Sequence, residues 1–108
     1  MRLNDFQDEA RKTAMYPESG LLGGLGYTII GLVGETGELA NKFKKILRDG
    51  DSPEKRAALI DELADVCWYV AMVADELEVS LETVAQRNLD KLRSRTNRGV
   101  IGGSGDNR

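Results

Sequence analysis

The chain has 108 residues, 41% of them hydrophobic, with a formal net charge of −3 and a pI near 5.0. That is room for one domain and one core, and the wrong charge balance for non-specific nucleic-acid binding. No histidine and a single cysteine, Cys67, exclude Ser-His and Cys-His catalysis, thiolate–imidazole zinc sites, Glu-x-x-His di-iron sets and an internal disulfide.

The first residues, Met1-Arg-Leu-Asn-Asp-Phe6, are amphipathic and charged and lack the apolar stretch of a signal peptide. Leu3, Phe6, Ala10 and Ala14 recur at helical spacing, so a short helix is expected over 3–14, broken by Pro17-Glu-Ser-Gly20. A long helix follows over about 21–48. Its Ile29, Leu32, Val33, Thr36, Leu39, Ala40, Phe43, Ile46 and Leu47 read as one apolar stripe, with Glu35 at its edge and Glu38, Lys42 and Lys45 further round. Gly31, Gly34 and Gly37 each cost a helix about 1 kcal/mol relative to alanine. A close-packed helix or room for a ligand is expected in return.

Arg48-Asp-Gly-Asp is a break, and Ser52-Pro53 a start signal for a helix over about 53–78. Leu59, Leu63, Val66, Val70, Val73 and Leu77 share one of its faces. Its uncharged run Val66–Ala74 is too short to span a bilayer and suggests a subunit interface, with Cys67 as a packed thiol. Ser80 caps a last helix to about Arg98, with Leu81, Val84, Ala85, Leu89 and Leu92 inward. Nothing alternates with period two. The fold class is all-α, an antiparallel bundle of about four helices (residues 1–98) completed by oligomerisation, followed by a flexible glycine-rich tail (99–108). The chain reads as soluble and cytoplasmic.

Two acidic pairs carry the chemistry. Glu35-Thr-Gly-Glu38 and Glu62-Leu-Ala-Asp65 each put two carboxylates on one helical face. Most such pairs are solvated or bond a lysine, and Glu38 with Lys42 has that spacing. Yet Glu35 borders the apolar stripe, and Glu62 projects near Val66, Tyr69 and Val73. Two antiparallel helices could gather all four into an oxygen-rich site for a hard divalent cation such as Mg²⁺. On spacing alone, solvated pairs and a metal site both stay open. On the last helix Asn88, Lys91 and Arg95 share a face. They read either as a solvated row or as a clamp for phosphate oxygens. Tyr69 could border a bound base or simply pack, and Trp68 reads as packing.

With these residues in view the chain resembles the MazG-like nucleoside triphosphate pyrophosphohydrolases of the all-α NTP pyrophosphatase group. Gly31-Leu-Val-Gly-Glu-Thr-Gly-Glu-Leu39, followed by Lys44-Lys45, is similar to the family's first acidic motif. Glu62-Leu-Ala-Asp-Val-Cys-Trp-Tyr-Val70 is similar to its second, and Asn88 to Arg95 to its substrate-side helix. The resemblance implies Mg²⁺-dependent hydrolysis (with Mn²⁺ as a substitute) of a (deoxy)nucleoside triphosphate to monophosphate and pyrophosphate, as nucleotide-pool housecleaning. It implies Glu35, Glu38, Glu62 and Asp65 as metal ligands, with Glu35 or Glu38 also catalytic toward water. Asn88, Lys91, Arg95, Tyr69 and Lys45 would bind the substrate. A homodimer or homotetramer sharing its sites is implied, with no nucleic-acid or membrane partner. Two other readings remain: a non-catalytic helical oligomerisation or regulatory module, and a hydrolase of another pyrophosphate-bearing metabolite such as phosphoribosyl-ATP.

Overall fold

The computed structural model describes residues 1–108 and contains four α-helices and no strand: α1 (Leu3–Arg11), α2 (Leu22–Asp49), α3 (Pro53–Glu76) and α4 (Leu81–Arg98). The start signals act as read. Ser52 Oγ accepts from the Lys55 backbone N–H with Pro53 at the first helical position, and Ser80 Oγ accepts from that of Thr83. The first helix is shorter than expected, because turns bonded from Thr13 and Ala14 back to Ala10 and Arg11 replace its last residues.

The long helices α2 and α3 lie against each other, and α1 and α4 pack on α3; α2 touches α3 alone. The core is a small cluster of Ala10, Ala71, Met72 and Leu81, flanked by Phe6, Tyr16, Trp68 and Val70. It lies where α1, the C-terminal half of α3 and the start of α4 meet. Polar groups close this end. The buried Gln7 donates to Asp75 and the Val79 carbonyl and accepts from the Leu81 N–H, and Arg11 pairs with Asp75.

Three expectations need correction. The apolar run 66–74 is largely covered by the chain's own helices, so it is no exposed interface. Its Cys67 is exposed, because it points to the side of α3 away from the packed seam. The stripe on α2 divides into two faces. Leu32, Leu39 and Ile46 are half-buried, whereas Ile29, Val33, Phe43 and Leu47, together with neighbouring Ile30, are exposed. One subunit has a single helix to lay against α2, and a stripe this wide needs two.

The tail also differs from the composition-based reading. Gly99, at φ +72°, turns the chain back. Asp106 then sits on Lys91 and Arg95 of α4, and Arg98 donates to the Arg108 carbonyl.

Candidate metal and nucleotide site

The face of α2 that meets α3 carries Leu32, Glu35, Leu39, Lys42 and Ile46, each half-buried, at steps of three and four. The facing side of α3 carries Leu59, Glu62, Val66 and Tyr69. Charged groups thus enter an otherwise apolar seam from both helices. Carboxylate oxygens of Glu35, Glu62 and Asp65 all lie within 4.8 Å of one another. Glu38 is exposed one turn beyond and stands outside this cluster.

The charges inside the cluster perturb one another. Burial, a carboxyl–carboxylate contact with Glu62, and the charges of Asp65, Glu62 and Glu38 all push the Glu35 pKa above the ordinary glutamate value. Glu62 moves the other way, chiefly because the Lys42 ammonium lies 2.7 Å from its Oε1. Its other oxygen, Oε2, is buried with no donor beyond what a protonated Glu35 carboxyl would supply. Such an oxygen is costly to leave unpaired. An all-carboxylate donor set with a buried acceptor to spare fits a hard divalent cation.

Tyr69 stands beside the cluster, its phenol pushed up by burial and by the charges of Tyr27, Glu35 and Asp65. Gly31 makes room for its ring, since a Cβ there would lie 2.1 Å from Tyr69 Cε1. Gly34 and Gly37 face open space, so no contact within the subunit explains them. Tyr16 stacks on Tyr27 with centroids 5.5 Å apart, and Trp68 meets both Tyr16 and Tyr69 edge-on. Trp68 also donates from Nε1 to Thr13 Oγ1, which makes it a packing residue as read.

The basic row lies apart from the carboxylates within one subunit, because α4 does not approach α2. Asn88 lines a groove with Arg87, Lys91 and Asp106. Arg95 is only 6% exposed, and its Nη2 lies 3.2 Å from Asp106 Oδ1, with Lys91 Nζ at 3.3 Å. Lys45 is exposed and makes no ion pair. Two residues have roles that their spacing did not indicate. Lys42 crosses to Glu62 instead of bonding Glu38, although its place seven residues after Glu35 puts it on the same face. Asp106 lies in a tail where no periodicity applies.

Over residues 27–100 the sequence matches the family described as the MazG nucleotide pyrophosphohydrolase domain. A gene 37 protein of Mycobacterium phage L5 is 55% identical over 114 aligned positions that span the whole of both chains. Human dCTP pyrophosphatase 1 is 38% identical over 73 positions, which cover 62% of this chain and 42% of the human one. No solved structure matches. Because the matched segment is well over half of the chain and contains both acidic pairs, this protein belongs to the MazG nucleotide pyrophosphohydrolase domain family.

Proposed function

We propose that this protein hydrolyses a (deoxy)nucleoside triphosphate to the monophosphate and pyrophosphate at a Mg²⁺ site formed by Glu35, Glu62 and Asp65, with Glu38 one turn away, clearing unwanted nucleotides from the pool. The observation that carries this reading is the convergence of three carboxylates from two helices around a buried, donor-poor Glu62 oxygen. The family match over the same residues supports it. Mg²⁺, or Mn²⁺ in its place, would neutralise the triphosphate, polarise the α-phosphorus and acidify a water.

The chain's own residues do the positioning. Glu35, Glu62 and Asp65 hold a fixed geometry across the α2–α3 seam. Glu38, outside the cluster and exposed, is free to take the proton of the attacking water. Tyr69 borders the base, and Lys45 is a secondary contact for the outer phosphates. Asn88, Lys91 and Arg95 hold phosphate oxygens, Arg as a fork and Lys as a point charge. Phosphoryl transfer asks for little beyond such placement and charge stabilisation, so a histidine-free site is sufficient.

Because α4 stays away from α2 in its own subunit, the row reaches the carboxylates from a second copy, in a dimer or a dimer of dimers. The surface supports this. The subunit exposes 7700 Å², about 1,800 Å² more than a compact monomer of this mass. Its radius of gyration is 16.5 Å, where a compact chain of this length has about 13 Å. The excess area is of the size that an obligate interface covers.

The test is a nucleotide panel with purified protein and Mg²⁺, beginning with dCTP because that substrate is in the human relative's name. At least one dNTP should yield dNMP and pyrophosphate, and EDTA should abolish the activity. Release of dNDP and orthophosphate instead would overturn the assignment.

A further inference from the structure

We propose that Lys42 is a built-in counter-cation of the carboxylate cluster: it holds Glu62 in place when no divalent ion is bound, and it weakens the site's grip on one. The inference rests on the reading of Glu35, Glu62 and Asp65 as a divalent-cation site.

The geometry is specific. Lys42 has Glu38 at i−4 on its own helix, the spacing at which a lysine ordinarily finds a carboxylate. Its ammonium instead crosses the seam and makes its salt bridge with Glu62 Oε1, at 2.7 Å. Both side chains are shielded there, Glu62 at 13% and Lys42 at 35% exposure. One oxygen of Glu62 is therefore pinned, and the other is the buried one left without a donor. Lys42 thus satisfies half of a carboxylate whose other half is available to an ion.

A unit positive charge one carboxylate away from a divalent ion must repel it, and partial burial limits how far water and salt screen that repulsion. The same charge offsets repulsion among Glu35, Glu62 and Asp65 when no ion is present. Removing it therefore has two effects of opposite sign: tighter cation binding and a less stable ion-free protein. A lysine that merely packed the seam would lower both. One that served only to orient Glu62 would lower cation affinity when lost.

The experiment uses the full chain and Mn²⁺ alone, with no nucleotide. Lys42→Gln keeps a donor for Glu62 and removes the charge, Lys42→Met removes both, and Lys42→Arg keeps both. Calorimetric titration should show Mn²⁺ affinity about three- to tenfold higher in the Gln variant. Its melting temperature in EDTA should be lower than that of the wild type, and Lys42→Arg should restore both quantities. Lys42→Met serves as a second neutral variant and should move both in the same directions. Unchanged or weaker Mn²⁺ binding in Lys42→Gln, with the wild type binding Mn²⁺, would overturn the role of Lys42 alone. Absence of Mn²⁺ binding in the wild type and all three variants would overturn the cation-site reading and Lys42's role with it.

Discussion

The two ends of this subunit are built to different standards of completion. Where α1, α3 and α4 meet, Met72 and Ala71 are fully buried, and Gln7, itself buried, uses its amide on Asp75, Val79 and Leu81. Along α2 and the first half of α3, Ile30, Leu47, Ile60 and Val33 are each well over half exposed, and a glutamate oxygen is buried without a donor. The closed end satisfies its buried polar groups from within, and its exposed apolar residues, such as Leu77 and Val84, lie at its edge. The open end has apolar surface and negative charge in excess, and the proposed chemistry would be carried out there. What stabilises this fold and what would do its chemistry are therefore separable by mutation.

The largest effect should come from the open end's charges. Glu62→Gln removes a ligand charge while keeping shape, so turnover should fall by about two or more decades. The melting temperature without divalent ions should change little. Glu38→Gln should cost a similar factor in turnover yet leave Mn²⁺ affinity nearer the wild type, since Glu38 lies outside the three-carboxylate cluster. Near-normal turnover in both variants would leave the acidic pairs without a catalytic role.

The apolar surface of the same end gives the next test. Ile30 is 74% exposed, so aspartate there costs a lone subunit almost nothing. In an interface the new carboxylate would be buried unpaired, a costly change. Light scattering of wild type should give two or four chains and of Ile30→Asp a single one, with activity falling in parallel. A wild type that is monomeric and active at micromolar concentration would refute the shared site.

At the closed end, Gln7→Ala should leave the Leu81 N–H and the Val79 carbonyl without partners. The loss of stability should be about 2 kcal/mol by denaturant titration, with substrate affinity unchanged. If Gln7→Ala were instead to lower turnover per folded molecule, the two ends would be coupled and the comparison would fail.

The helix starts and the acidic pairs are more legible in the sequence than the closed end, where Ala71 and Met72 are buried off the face that spacing marks as apolar and Leu77, Val84 and Leu89 on the expected faces are exposed. Ser52-Pro53 and Ser80 are local signals, and a cap works wherever the chain goes afterwards. Spacing also puts Glu35 at the edge of the α2 stripe and Glu62 beside Val66 and Tyr69, and the structure sets both on the α2–α3 seam. Spacing cannot say which of two apolar faces on a 28-residue helix meets its own chain: Val33 and Leu32 fall in one stripe by spacing, and the structure separates them. For the same reason Cys67 reads as packed and is exposed. Lys42 has two carboxylates in reach, and the rotation of α2 against α3 decides between them. The position of Asp106 depends on how a glycine-rich tail turns, which no periodicity encodes.

The tail belongs to neither end, and its effect should be the smallest. Asp106 lies on Lys91 and Arg95, residues that would hold phosphate, so it would have to leave when the nucleotide arrives. Lys91, then Arg95, hold its carboxyl below the ordinary aspartate value, so the contact is charged at neutral pH. It would be lost only as pH falls through that lowered value, well below the range of an ordinary assay. Asp106 itself is 81% exposed, and an exposed pair contributes little and is screened by salt. Asp106→Asn should therefore lower KM for the nucleotide by only about two- to fivefold, with kcat unchanged. The gain should shrink as salt is added. Steady-state kinetics at low and high ionic strength measure both features. A KM unmoved by Asp106→Asn but raised by Lys91→Ala would mean that phosphate meets the row without displacing the tail. If neither variant moved KM, the row would serve only to hold the tail, and the triphosphate would be held elsewhere on the subunit.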